Sequence, residues 1–578
     1  DPFSGFAAEE PQGEPFEWGP PRPAPDDMTV LEKLKKDARE EIEPLMKGKG
    51  LSTEDYRGLL ALTQAYHAEW SEYYHDKKIV RLVRDAIDDY IVRQAGEGKG
   101  PGGLGAGWHR HGNLAQSFVQ VADAFKELGY LKGKFHYAEG PPSSGQTAGR
   151  PYVRRRDAYA AFFKKALEWR RGPQPGARRR MANQVISVDR AIYRMNRALQ
   201  ELAPELAMPE QEALDYLYEA AGSEPFFSAW PRHDWVRETA YAGYPFYVVS
   251  PKGLTREGGH ASHYGEAVSR FARLAWEVGD QEFTDRVRQM AKARATMCRR
   301  PANDGGGYAV LRAPHTYSWR GRYYPGYVIY TQSPFIQAAV LQDPVSLRIA
   351  ELYLEHNRVF HEETPRINQV VQRVEAYKKV KELLPADHRL PMEPDSGDFA
   401  WAEEDLAVFA AKHGDTMING SFFLDKQGVT PIGRIHYTTP RIDRIATIKV
   451  DTKVKESGEF YTLPDELPGG RPSVLGGKKR PIAAAPPGLI EDIDQAGNEQ
   501  WASGDERSAM ADFYRARFGD YLVAMNTTMK DSYRERTFEV EVPSDRGEAR
   551  DLITGEMVDL SEPVTLGPRS TIVLYLGE

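Results

Sequence analysis

The amino-acid sequence predicts a multidomain α+β protein, a long all-helical region followed by an antiparallel β region. Three observations carry this expectation. Between Met28 and about Leu384, apolar residues recur at the 3.6-residue helical period in one segment after another. Beyond Asp398 the recurring units become short β-branched and aromatic runs separated by turn residues. A chain of 578 residues, 41% of them hydrophobic, is also long enough for two or three separate cores.

The elements follow in order. The stretch 1–27 starts at Asp1 without Met, is rich in Pro, Gly and Glu, and predicts a mobile arm left after removal of a leader segment. Helices are expected over 29–47, 53–66, 69–94, 155–170, 207–221, 280–296, 331–340, 344–361 and 366–384. Three further stripes mark helices by their spacing: Leu114, Phe118, Val121 and Phe125; Val185, Val188, Ile192, Met195 and Leu199; and Tyr264, Val268, Phe271, Ala275 and Val278. No strands alternate with them, which argues against a Rossmann sheet or a (β/α) barrel and favours helical hairpins in a ring or arc. No short repeat is visible, so a regular solenoid is disfavoured. Strands are expected at Thr416–Phe423, Gly433–Tyr437, Ile445–Val450, Gly519–Met525, Thr537–Val542 and Thr571–Leu576, with a long Pro- and Gly-rich loop from Leu467 to Gly488. The domains predicted are the arm 1–27, a helical domain 28–390 and a β domain 391–578.

A net charge of −8 gives no global attraction to nucleic acid or anionic membranes, so a polyanion must be met by a local basic site. Arg154 to Arg156 and Arg178 to Arg180 read as solvated surface. The single cysteine, Cys298, excludes an internal disulfide framework and a cysteine zinc site, and reads as a packed thiol. No apolar run approaches the ~20 residues of a membrane-spanning helix, and no membrane or nucleic-acid partner is expected.

The residues with chemistry cluster where loops enter helices. His260, His263 and Tyr264, with Arg256 before them, follow a di-glycine at the start of the Val268 helix, where an imidazole and a phenol can move a proton near neutral pH. A buried His/Tyr pair fixing a loop is the plain structural alternative. Trp108, His109, Arg110 and His111 precede the Leu114 helix, with Asn113 as a candidate N-cap and Trp108 as a hydrophobic staple. Asn183 starts another helix, as a cap or as a functional amide. Arg312, Tyr317, Trp319, Arg322 and Tyr324 lie around a Gly-rich loop. Aromatic faces stack on sugar rings and arginine forks pair with carboxylates, so this set suggests an acidic carbohydrate.

The order Asn183, then His260 with Tyr264, then the 312–322 arginines, on helices followed by β-strands, resembles the α/α-toroid polysaccharide lyases of the chondroitin, hyaluronan and heparinase II/III type. The phrases Ala182 to Tyr193 and Gly433 to Arg444 look like exo-acting members of that group, including lyases of rhamnose-glucuronate linkages. The usual Asp-Gly-Ser tract is replaced by Thr255-Arg-Glu-Gly-Gly, which leaves the roles of His260 and His263 open. The resemblance implies an N-terminal (α/α) toroid, a C-terminal antiparallel β-sandwich, and a secreted or periplasmic enzyme that needs no metal or other cofactor. It further implies β-elimination at C4 of a uronate in an acidic polysaccharide or oligosaccharide. In this scheme Asn183, one histidine and an arginine neutralise the carboxylate, while Tyr264 or His260 takes the C5 proton. Tyr264, Asn183, His260 and His263 would be catalytic, and the 108–111, 256 and 312–324 residues would bind substrate. The alternatives are a toroid glycoside hydrolase using carboxylates such as Asp234, Glu257 or Glu266, a metal enzyme built on His109-x-His111 and His260-x-x-His263, and a non-catalytic glycan-binding protein.

Overall fold

The computed structural model describes residues 23–25, 28–51, 56–96, 109–136, 152–171, 182–223, 249–257, 259–260, 265–298, 312–314, 327–329, 333–361, 366–393, 396–421, 434–438, 446–449, 466–467, 471–472, 513–518, 520–528, 535–542 and 545–577. Helices fill its first part: α1 Val30–Met46, α2 Arg57–His67, α3 Lys77–Gly96, α4 Arg110–Gln120, α5 Ala122–Glu127, α6 Arg155–Arg171, α7 Ala182–Leu202 and α8 Glu210–Ala221. They continue as α9 Gly265–Val278, α10 Gln281–Thr296, α11 Pro334–Leu341, α12 Pro344–Glu355, α13 Arg358–His361 and α14 Val370–Leu383. Local chemistry fixes several starts. Thr29 and Glu32 close a capping box on α1, Asp280 caps α10 by accepting from Phe283 N at 2.7 Å, and Asp343 caps α12 just before a proline.

Six of these helices touch in a closed order: α2 packs on α4, α4 on α7, α7 on α9, α9 on α11, α11 on α14, and α14 returns to α2. The remaining long helices pack against these six, most of them on a neighbour in sequence, while α1 packs chiefly on α14. The buried side chains of α2, α4, α7 and α9 form one continuous apolar core, and those of α11, α12 and α14 form a second with Leu34 of α1. A helix inside such an arrangement is covered on every side. Accordingly, α7 is buried from Val185 to Arg194 without a solvent face.

Three short hairpins interrupt the helices: β1 Lys134–His136 with β2 Tyr152–Arg154, β3 Arg256–Glu257 with β4 Gly259–His260, and β5 Arg312–Pro314 with β6 Tyr327–Ile329. The C-terminal part is antiparallel. Strands β7 Phe399–Glu403, β8 Val408–His413, β9 Thr416–Ser421, β10 Arg434–Thr438 and β11 Ala446–Lys449 form a five-stranded meander. After a small hairpin of β12 Glu466–Leu467 and β13 Arg471–Pro472 come β14 Phe513–Phe518, β15 Tyr521–Asn526, β16 Phe538–Val540, β17 Glu548–Asp551, β18 Met557–Asp559, β19 Val564–Leu566 and β20 Ser570–Tyr575. A second sheet runs β14-β15-β20-β17-β18, and β16 pairs with β19 beside it. Phe409, Ala411 and Ile418 of the first sheet share a core with Tyr521, Val523 and Val573 of the second, so the two sheets face one another. The opposite side of β8, Val408 and Ala410, packs on Leu254 and on Ala293 and Met297 at the end of α10. The β region is thereby seated on the helical region.

One expectation needs correction. Arg155 is not a solvated surface residue: its guanidinium is paired with Asp88 at 2.8 Å and donates to Tyr130 O at 2.9 Å. Arg156 is exposed, as expected, and donates to Leu202 O at 2.6 Å. Cys298 is a buried thiol, as expected, and burial pushes it up to about 12. Among the described residues no helix is long and apolar enough to cross a membrane. The arginines 178–180 and the arm 1–22 lie outside the described residues.

Candidate functional site

The segment leading to His260 is held from several sides before it reaches the site. Arg286, on α10, donates to the carbonyls of Ala221 (2.7 Å), Pro251 (2.9 Å) and Ser250 (2.6 Å). Burial lowers this guanidinium to about 10. Gly253 sits at φ +105°, where a Cβ would lie 3.0 Å from the Met290 backbone, so the turn requires glycine. Ser250 Oγ then donates to Glu403 Oε2 at 2.5 Å, and the Lys252 ammonium pairs with Glu404 at 2.6 Å, fastening the turn to β7. From this anchor β3 and β4 turn back on each other, with Arg256 opposite His260 and Glu257 opposite Gly259. His260 therefore stands on a hairpin, not on the first turn of the following helix, which begins at Gly265.

The second segment differs from its expectation. His109 is the N-cap of α4 without a side-chain cap bond, so His111 and Asn113 lie inside the helix. Asn113 is not a cap: it is 2% exposed, and its Oδ1 accepts from Arg194 Nη1 at 2.8 Å. His111 is fully buried among Tyr90, Phe162 and Trp169, its Nε2 3.0 Å from the Tyr90 hydroxyl. Burial, followed by Arg170 and Arg110, holds this imidazole well below its ordinary value. His109 is also buried and held down by burial and by Arg190. An arginine can only donate, so His109 Nδ1, 3.1 Å from Arg190 Nη2, accepts, and the imidazole proton is on Nε2. Arg110 is half-buried at the first helical position.

The third segment brings residues that the sequence reading did not single out. Helix α7 begins at Ala182, so Asn183 lies in its first turn and is not the cap. Ser187, Arg190 and Arg194 follow Asn183 at helical spacing on one face. Arg194 is paired with Glu277 of α9, Nε to Oε2 2.8 Å. Arg273, one turn earlier on α9, donates to Gln372 at 3.1 Å and Asn368 O at 3.0 Å. Burial alone would raise the Glu277 carboxyl, but Arg194, Arg190 and Arg273 bring it below its ordinary value.

Arg194 ties α9 to α7 through Glu277, and the pairs His109 with Arg190 and Asn113 with Arg194 rise together along both chains, so α4 and α7 run parallel. Their N-termini point to one end of the helical region. Gly112 abuts Ala191, which sets His109 level with Val188, five residues and roughly 7 Å along the axis below Asn183. Asn183 stands nearer that end, and His109 lies deeper. Arg312 is in β5, opposite Ile329. Trp108, His263, Tyr264, Tyr317, Trp319, Arg322 and Tyr324 fall outside the described residues, as do Asp234 and the 320 position. Among the described residues no group of three His, Cys, Asp or Glu side chains is placed to hold a metal ion.

No protein-family model matches the chain, and no curated protein does. Among solved structures, the chain is similar to a mutant chondroitin AC lyase from Streptomyces coelicolor A3, at 13% identity and a TM-score of 0.38. The match covers 90% of this chain, which spans 65% of the length of that one.

Proposed function

We propose that this protein is a polysaccharide lyase, cleaving an acidic glycan at C4 of a uronic acid by β-elimination, on an (α/α) toroid spanning 28–390 with a β-sandwich over 391–578. The observation that carries the reading is the convergence of α4, α7 and α9, the three helices whose starts hold the candidate residues, tied together by His109 with Arg190, Asn113 with Arg194 and Arg194 with Glu277. The closed order of helix contacts supports the toroid. The β3/β4 register supports a joint role for Arg256 and His260, since directly opposed residues of a ribbon are neighbours on one face.

The chemistry assigns each group a task. The C5 proton of a uronate is too weakly acidic while the adjacent carboxylate keeps its full charge. Asn183 and Arg256, or an arginine of the 312–322 loop, would hydrogen-bond that carboxylate as enolate-like charge develops. Tyr264 or His260 would remove the proton, and Tyr264 would return one to the leaving oxygen. Trp319, Tyr317 and Tyr324 would stack on flanking sugars. Incubation with a panel of uronate-containing glycans tests this directly. Products with a C4–C5 double bond, seen by their ultraviolet absorbance, are expected from uronates and not from carboxyl-reduced analogues. New reducing ends without that absorbance would assign hydrolysis instead, and binding without turnover would assign a glycan-binding protein.

A further inference from the structure

Three guanidinium groups lie buried where α4, α7 and α9 meet, and they are not equally satisfied. Arg194 holds Glu277 and Asn113, while Arg273 holds Gln372 and the Asn368 carbonyl. Arg190, 6% exposed, bonds to the neutral acceptor His109 Nδ1. The charges acting on it most strongly are Arg194, Glu277, Arg273 and Arg270, and the carboxylate among them is already engaged by Arg194. Asp189, its neighbour in sequence, is among neither its hydrogen-bond partners nor those charges. A buried guanidinium surrounded mainly by like charge is strongly unfavourable unless a counter-charge comes close.

The surroundings supply donors for such a counter-charge. Helix α4, eleven residues long, starts beside Arg190 at His109 with no side-chain cap, adding the positive end of its dipole. Burial and the neighbouring guanidiniums push Arg190 well down from the ordinary arginine range, a direction that a bound anion would reverse.

We propose that the Arg190–His109 junction is a binding site for a small oxyanion of the carboxylate or sulfate type, either a free ion or an acid group on a sugar. The site goes beyond the lyase reading, because binding there requires no turnover. Its test is therefore thermal unfolding, with no activity assay. Sodium sulfate and sodium glucuronate are each titrated against sodium chloride at matched ionic strength. A saturable rise in melting temperature at millimolar anion is expected from at least one of them, on top of the unsaturable stabilisation that sulfate gives to proteins generally. Saturation by sulfate alone would identify a free inorganic ion as the source, and saturation by glucuronate would identify a sugar acid. Arg190→Met should abolish the saturable part and keep the linear part. If that variant does not fold, Arg190→Lys, which retains charge but loses the fork, should raise the midpoint concentration at least tenfold. Absence of a saturable rise with both anions, or a saturable rise unchanged in the Arg190 variants, would overturn the proposal.

Discussion

Removal of the Tyr264 hydroxyl by Tyr264→Phe leaves the ring and deletes one proton carrier. Turnover on a uronate glycan should fall by at least the ~10²-fold typical of lost acid–base help, with the melting temperature near that of the parent. A loss of stability at unchanged specific activity would assign Tyr264 to packing. His111 offers the opposite test. Buried and neutral, it binds fewer protons in the fold than in the unfolded chain once pH falls below its ordinary 6.5. Its contribution is therefore present above that pH and lost on acidification. The pH dependence of stability between about 6.5 and 5 should be shallower in His111→Phe than in the parent, whatever the absolute cost of leaving the Tyr90 hydroxyl unpaired. An identical slope in chemical denaturation would rule this out. His109 and His111 were legible in the sequence as an unusual pair, but their burial was not, because the position of the α4 start decides it. Arg190 and Arg194 were overlooked for a related reason. The apolar stripe through Val188 and Ile192 accounts for only one face of α7, and a helix covered on all sides has a second buried face that periodicity assigns to solvent.

At the scale of elements, the α4–α7 contact depends on one missing side chain. A Cβ on Gly112 would lie 2.8 Å from Ala191 Cα and 2.9 Å from its Cβ, and backbone cannot yield as a flexible side chain can. On propensity alone, Gly112→Ala inside a helix would stabilise by up to about 1 kcal/mol. Here overpacking should reverse the sign and cost about 1–3 kcal/mol, read as a lower urea midpoint at constant m. A stabilised variant would show that the two helices can separate freely. Helix positions were legible almost throughout, since long amphipathic periods repeat many times. Strands β7 and β8 were not. Phe399-Ala-Trp-Ala-Glu403 and Val408-Phe-Ala-Ala-Lys-His413 carry alanines where a strand signal needs branched residues. Those small side chains fit because β8 is covered on both faces, by the second sheet through Phe409 and Ala411 and by α10 through Val408 and Ala410. Tertiary burial replaced local propensity there.

At the scale of the molecule, a buried carboxyl stands at the junction between helices and sheets. Glu403 is wholly buried, accepts from Ser250 Oγ and Lys252 N on the turn that leads to Arg256 and His260, and has Glu404 beside it in sequence. Burial raises it to about 7, against the opposing pull of Ser250 and Lys252. A carboxyl raised above its unfolded value of 4.5 contributes stability that is complete below that value and is lost as pH rises through about 7. This limb runs opposite in sign to that of the buried histidines. Glu403→Gln keeps the shape and cannot ionise. The loss falls between about pH 4.5 and 7 and levels off above, so over that window the parent should lose melting temperature relative to the variant, which should melt higher at about pH 7.5. Because the same carboxyl fastens the turn ahead of β3, proteolysis between residues 249 and 260 should speed up with pH in the parent and stay level in the variant. Equal pH dependence in both proteins would mean that Glu403 stays in one protonation state across this range and does not govern the junction.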